Sequence, residues 1–398
     1  MGERALSYSS IVSSANFSYL GGKDCAEAER FSANVPLLPT LFCACLAVLF
    51  FFGLPLHAAT LQVCPDRCSY GSVGAAVEAA APGDSIEIKN GTYEENVLLD
   101  KRLTLVGTGS EWVTISGSSK ERPVLQVSPS VKEVELKKIT FSDAWSGEGS
   151  NLLPQDEGGP DGLRLSGRTE AFVEDCRFQR NLNGVAVSGS AELTCSNCQF
   201  GPNRRAGVRV KDSGRVLLKD CQLTENGETA LVAGEGRLTI LNSTLRANDK
   251  GLLVRDTSRL SLNGAKLSGN GAFNLKLLQF SRAIVRDSVL SGGKIGILLG
   301  GSAELEMLNS DVSGASGYGL ATYAKECKLG KEDGFYGSIS GSNNVFYDHG
   351  DGPFCPAELG FLTSESGGEK SYRHVYGTIK FLLALALITT TVFKVVYG

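Results

Sequence analysis

A chain of 398 residues with a net charge of −4, three His and two Met argues against two classes of function at the outset. Nucleic-acid binding rests on an excess of clustered Lys and Arg, and a large transition-metal centre draws on imidazole and thioether ligands that this composition scarcely supplies. Forty-eight Gly and 42% apolar residues suit a chain with many tight turns around one continuous core.

Residues 1–35 mix polar and charged side chains and predict a disordered leader. Residues 36–59 are apolar over about the length that spans a bilayer, which predicts a signal sequence or signal anchor. Of eleven Cys, Cys25, Cys43 and Cys45 lie in or before that run. The other eight, an even number behind a secretion signal, predict an oxidising compartment and a secreted or cell-surface, membrane-anchored location. Cys64 and Cys68 predict a local disulfide, since no second ligand pair stands near to complete a metal site. Ser72 can cap a short helix through Ala81, with Val73, Ala76, Val77 and Ala80 on one face and Pro82-Gly83 to stop it. Strand-like alternation follows in Ile86–Ile88, Val97–Leu99, Leu103–Val106 and Val113–Ile115, with a turn at Asn90-Gly91.

Three stretches here carry a resemblance: Gly74–Asp84, Asn90–Val97 and Leu103–Gly107. Together they resemble the opening of right-handed parallel β-helix proteins, the pectin lyase-like superfold with its carbohydrate-binding and sugar-hydrolase repeats. The resemblance covers about residues 62–355. It implies a fold and a glycan as ligand, and it leaves the activity open.

From Ala171 to Val312 one pattern returns about every 22 residues. A column headed by Cys176 continues through Cys198, Cys221, Ser243, Ala265, Ser288 and Ser310, and five residues beyond it stands a second column, Asn181, Asn203, Asn226, Asn248 and Asn270. A fixed period of this size marks a solenoid. In Gly207-Val208-Arg209-Val210, alternation sends the valines inward and Arg209 outward, and Ala230–Ala233 is aligned as an equivalent strand. A second strand, Arg215–Lys219, and a short third one carrying Cys221 and Leu223 complete the coil. The prediction is all-β: a right-handed parallel β-helix of about 10–12 coils of about 22 residues over residues 60–363, with the short helix capping its N-terminal end. The Asn column is expected at a corner, where Asn tolerates the left-handed conformation and its amide bonds to coils above and below. The Cys column is expected to pack inward, with one bridge between neighbouring coils within reach. Cys195 and Cys198 fall on separate inward columns with no His nearby, which argues against a zinc or redox pair.

The repeat is interrupted after Phe141, where the spacing to Phe178 is 37 and one coil carries an insert over about 145–159. Trp145 with Glu148, Asp156 and Glu157 forms the candidate ligand-binding set, an aromatic platform with carboxylates that could hold Ca²⁺. The nearest approach to a catalytic constellation is Asp161, Arg164, Arg209, Lys211 and Asp212 on one side of the coils. The motifs of polygalacturonase-like, pectate lyase-like and pectinesterase-like sites are absent. Outward positions read Arg164, Ala186, Arg209, Val232, Leu253, Lys276, Leu298 and Ala321, a partly apolar strip that predicts a protein partner or a cover supplied by the tail from Gly330 to Leu362. Cys327 and Cys355 are expected to clip the C-terminal end. Residues 364–377 read as a linker and 378–397 as a C-terminal membrane helix with Lys380 and Lys394 snorkelling. The functional expectation is a membrane-tethered, surface-exposed protein that binds glycan or has a structural role. A polysaccharide lyase or glycoside hydrolase and a protein-interaction scaffold are the alternatives.

Overall fold

The repeat folds as three parallel sheets wound into one solenoid of about eleven turns of about 23 residues. The computed structural model describes residues 58–119, 121–145, 159–330 and 334–364, with the backbone of 371–373. The leader, nearly all of the first apolar segment and the whole of 378–397 lie outside the described residues. Among the described residues no helix is long and apolar enough to cross a membrane.

The first sheet, which holds Arg215–Lys219, has thirteen strands; the second, with Gln222–Thr224, and the third, with Ala206–Val210, have eleven each. Each coil contributes one strand to each sheet, and the register holds residue for residue. Arg215–Lys219, for example, pairs with Glu192–Ser196 on one side and Arg237–Leu241 on the other. Alternation therefore sends Val216 and Leu218 inward in every equivalent coil, and these columns are buried from end to end. Phe141, Phe178 and Phe200 stack inside the second sheet with ring centroids 5.3 and 5.2 Å apart. The final strand, Ser371–Arg373, runs antiparallel to Ser338–Ser342.

Both ends of the core are covered. The N-terminal helix spans Val73–Ala79, with Val73, Ala76 and Val77 buried and Ser72 Oγ accepting from Ala75 N at 3.2 Å. Glu95 adds a second cap, its two carboxylate oxygens accepting from Val73 N and Gly74 N at 2.7 Å each. Those first-turn N–H groups have no partner within the helix, and a carboxylate there also meets the positive end of its dipole. At the other end a 3₁₀ helix, Ala357–Thr363, plugs the core with Leu359 and Leu362.

The asparagines form a continuous buried ladder. Asn203 Oδ1 accepts from Asn181 N at 3.2 Å, while its Nδ2 donates to Phe178 O at 3.0 Å and to Asn226 Oδ1 at 3.0 Å. Asn226 and Asn248 repeat the pattern. The expected backbone conformation is corrected: the left-handed residue is the one before the Asn. Arg180, Glu225, Ala247 and Gly269 have φ between 55° and 60°. His349 extends this corner. Its Nδ1 accepts from Ala315 N at 3.3 Å and its Nε2 stands 3.1 Å from Val312 O, the same two places that Asn203 fills on Asn181 and Phe178. An Nδ1 that accepts requires the proton on Nε2.

One strand alignment is also corrected. The outward column of the third sheet holds Leu231, and Val232 is fully buried inside. The register pairs Val185, Val208 and Ala230, so Thr229 stands where the other coils have Gly184 and Gly207. A Cβ on Gly184 would lie 2.5 Å from Gly207 O, which explains the glycine at this place in the neighbouring coils.

Candidate functional site

The third sheet brings Asp161, Arg164 and Arg209 to one side, Arg164 and Arg209 on outward positions two coils apart. Asp161, however, is 0% exposed. Its Oδ2 accepts from Arg164 Nε at 3.0 Å and Nη2 at 2.9 Å, and its Oδ1 from Asn183 Nδ2 at 2.7 Å. Burial pushes its pKa above the ordinary aspartate range, with Arg164, Asn183 and Arg209 pulling the other way. Arg164 Nη2 also binds Gly159 O, so this group anchors the stem of the insert. Lys211 and Asp212 sit in the turn beyond Arg209, where Asp212 has φ 54° and its carboxylate accepts from Gly189 N at 2.9 Å. Asp161 and Asp212 are thus engaged in holding backbone and neighbours.

Of the insert's candidate ligands, Trp145 is half-buried, and Glu148, Asp156 and Glu157 lie outside the described residues. The flanking Asp143 is bound by Arg180 Nε at 2.6 Å and Nη2 at 2.9 Å, which leaves it ill placed to serve Ca²⁺. Among the described residues no group of three or more His, Cys, Asp or Glu side chains could hold a metal ion.

The apolar strip is not an open surface. Leu298 and Ala321 are buried against Ala324 and Cys327 of the segment that follows the last regular coil, together with Cys355. From the tail, Cys355 shares in that cover, while Ala357–Thr363 plugs the end of the core. With Leu231 buried as well, Leu253 is the one leucine between Arg164 and Ala321 in the strip left partly exposed.

The structure brings Cys64 to Cys68 and Cys327 to Cys355 at Cα separations of 5.5 and 5.7 Å, within disulfide reach. Cys176, Cys195, Cys198 and Cys221 are buried free thiols. Burial pushes Cys176 up to about 12, which keeps it protonated.

A concave site lies elsewhere, at the corner between the first and second sheets. In most coils two residues turn this corner, as Asp175-Cys176 does. Between Thr104–Gly107 and Val113–Ser116 there are five, Thr108 to Trp112. The longer loop overhangs the next coils, pinned by Thr140 Oγ1 donating to Ser110 O at 2.6 Å and Arg177 Nη2 to Glu111 Oε1 at 3.0 Å. Beneath it is a trough of about 420 Å³ floored by Lys138, Asp175, Arg177, Asn197 and Gln199. Trp112 stands on its rim, 62% exposed. Its ring packs so close to Gly109 that a Cβ there would lie 2.8 Å from Cδ1, so the glycine fixes where the indole rests. The sequence signal for this site was the stretched corner itself with a tryptophan in it, overlooked in favour of the larger insert.

The family model for the right handed beta helix region matches residues 125–244 and 183–331, together just over half of the chain. The chain belongs to this family. No curated protein matches its sequence. Among solved structures this β-helix is similar to the Agl-KA catalytic domain, at 12% identity and TM-score 0.44, covering 70% of this chain and 63% of that one. It therefore spans less than two thirds of that relative. It is also similar to the pectin methylesterase from Aspergillus niger, at 14% identity and TM-score 0.36, covering 80% and 92%, and to the Azotobacter vinelandii mannuronan C-5 epimerase AlgE6 A-module, at 13% identity and TM-score 0.44, covering 71% and 93%. These likenesses concern the fold.

In chemical terms the trough of this β-helix sets an exposed aromatic face beside polar side chains that hold one another, Asn197 Nδ2 donating to Asp175 Oδ1 at 2.6 Å and Arg177 to Glu111, with Lys138 and Gln199 beside them. An indole with its apolar face in water and hydrogen-bonding groups at its side can hold a flat ligand that is apolar on one face and polar at its edge. A pyranose ring has that character.

Proposed function

We propose that this β-helix is a glycan-binding protein of the cell exterior and that the trough under Trp112 is its sugar site. The observation that carries the reading is the exposed indole of Trp112 over a polar floor contributed by three successive coils. A pyranose stacked on the indole would place its hydroxyls toward Arg177, Asn197 and Gln199. Tethering through residues 36–59 and 378–397 belongs to the same proposal and rests on the apolar character of those segments.

The chain has two Trp, so Trp145→Phe leaves Trp112 as a single fluorescent reporter. The full-length variant is screened on a glycan array of neutral and acidic oligosaccharides, and the hits are titrated by Trp fluorescence. Saturable binding with a fluorescence shift is expected, and Trp112→Ala, titrated by calorimetry because it removes the reporter, should weaken binding at least tenfold with an unchanged melting temperature. An array without hits, or hits indifferent to Trp112→Ala, would sink the proposal.

A further inference from the structure

Three Asn-x-Ser/Thr triplets occur in the chain: Asn16-Phe17-Ser18, Asn90-Gly91-Thr92 and Asn242-Ser243-Thr244. In a secreted protein such a triplet is the acceptor for an N-linked oligosaccharide. The first lies outside the described residues, and the fold itself accounts for the third. Asn242 has φ 48° in the corner column, and the buried Ser243 accepts from Cys221 N at 3.0 Å and donates to Leu241 O at 2.8 Å. The Asn242 amide already lies against the next coil, since a Cβ on Gly264 would stand 2.5 Å from its Oδ1.

The second triplet answers to no such demand. Asn90 has no positive φ and is exposed, as is Thr92, while Tyr93 takes the inward place. Asn90 Oδ1 accepts from Thr108 Oγ1, which fixes the amide, and Asn90 Nδ2 has no partner among the described residues. The register sets a tryptophan beside it. Gly91 and Thr92 pair with Val113 and Thr114, and Gly91 N donates to Trp112 O at 2.9 Å. Asn90 and Trp112 therefore stand opposite each other, each one residue before an inward pair and so pointing outward, at the strand spacing of about 4.8 Å. Asn90 lies on the side of Trp112 away from the trough, whose floor belongs to the coils that follow.

We propose that Asn90 carries an N-linked glycan whose first pyranose packs against the Trp112 indole. In the transfer a bond forms between Asn90 Nδ2 and the anomeric carbon of a lipid-pyrophosphate-linked oligosaccharide. The bond from that carbon to the pyrophosphate oxygen breaks, the lipid pyrophosphate leaves, and a base of the transferase takes the amide proton. Nothing buried has to move to accommodate the product. The sugar displaces water from an indole that is 62% exposed, so apolar surface is covered on both partners. Gly91–Glu94 is the end strand of the second sheet, and a bulky hydrophilic group at its start hinders that edge from pairing with another chain. The proposal rests on the reading above in one respect, that the chain reaches the cell exterior, and it stands whether or not the trough binds a free glycan. The two Cys pairs within disulfide reach fit passage through an oxidising compartment.

The test uses the full-length protein made in insect cells and, as the unglycosylated control, in a bacterial host. Peptide N-glycosidase deamidates the asparagine it strips, so mass spectrometry of the insect-cell protein should find that mark at Asn90. Thr92→Ala, which spares Asn90 and its bond to Thr108, should abolish the mark, and Asn90→Gln should lose the glycan likewise. In the Trp145→Phe background Trp112 is the single fluorophore. A sugar on one face of the indole leaves the other open, so iodide should quench the insect-cell protein roughly half as strongly as its Thr92→Ala variant. Made in bacteria, the two should quench alike. The proposal is overturned if the glycan sits on Asn242 alone, or if quenching is the same with and without the Asn90 glycan. A bare Asn90 on protein at the cell surface overturns this proposal alone, whereas a chain confined to the cytosol overturns it together with the exterior location.

Discussion

Two corners of this solenoid solve the same problem with opposite divisions of labour. In seven successive coils between the first and second sheets the left-handed residue is Asp175, Asn197, Asp220, Asn242, Gly264, Asp287 or Asn309, with φ between 48° and 64°, while Lys138 holds the place in the coil before them. Asp, Asn and Gly are the types that reach this region at least cost. The residue behind each of them is then free to be a modest Cys, Ala or Ser, whose bonds are few. Between the second and third sheets the left-handed positions that precede the ladder asparagines hold Arg180, Glu225 and Ala247, which have no such aptitude, and Gly269, which has it. There the next residue is an Asn that makes several buried hydrogen bonds. The comparison teaches that a corner can be held by local preference or by an amide ladder. Where the ladder is strong, the bent residue can be almost anything.

Breaking the stronger device should cost most. Asn226 accepts at Oδ1 from Asn203 N and Nδ2 at 3.1 and 3.0 Å, and its Nδ2 donates to Phe200 O at 3.0 Å. Asn226→Ala strands buried partners on both neighbouring coils, and unsatisfied buried groups cost about 1–3 kcal/mol each. A loss of about 3 kcal/mol is expected from the shift in urea midpoint. Ser243→Ala, at the other corner, removes the single acceptor for Cys221 N at 3.0 Å and should cost about 1 kcal/mol. Equal losses would contradict the proposed division of labour.

His349 allows the ladder to be tested with pH. Burial lowers its pKa below 6.5, with Val312 O and Asp348 opposing. The native state therefore holds the neutral ring, which its acceptor role on Ala315 N requires. Below about pH 6.5 the unfolded chain takes up a proton that the native chain resists, so stability is full above that value and is lost as pH falls through the folded pKa. His349→Asn should keep both bonds and flatten this dependence in thermal melts between pH 7 and 5. His349→Ala should lose about 1–2 kcal/mol even at pH 7. Acid sensitivity that survives in His349→Asn would assign it to other groups.

Much of this was legible beforehand, and the gaps have physical causes. Inward columns, the capping helix and the Asn ladder follow from periodicity, because a solenoid repeats the same environment in every coil. The Val232 error arose where Thr229 replaces a glycine, so a repeat anchored on glycine slipped by one residue. The emphasis on Asp161 failed for a different reason. A sequence shows that a carboxylate lies near an arginine, and it does not show that Arg164 and Asn183 already enclose it. The pairing of Asn90 with Trp112 was invisible because the two stand more than twenty residues apart. Only register makes them neighbours.

The smallest effect is the most discriminating. If the ladder holds Ala247 at φ 55° against its preference, Ala247→Gly should relieve the strain. A left-handed L-residue costs about 1–2 kcal/mol, and glycine's greater freedom in the unfolded chain returns part of that, about 0.4–1 kcal/mol. The net expectation is a gain of roughly 0.5–1 kcal/mol. Asp287→Gly, at φ 48° in the other corner, starts from a residue already suited to its place. It should be neutral or slightly destabilising, since the unfolded-state term then meets little strain to offset it. The two substitutions insert the same residue into the same conformation, so a difference in urea midpoint isolates what each corner asks of its bent residue. Identical shifts would mean that the amide ladder does not carry the second corner.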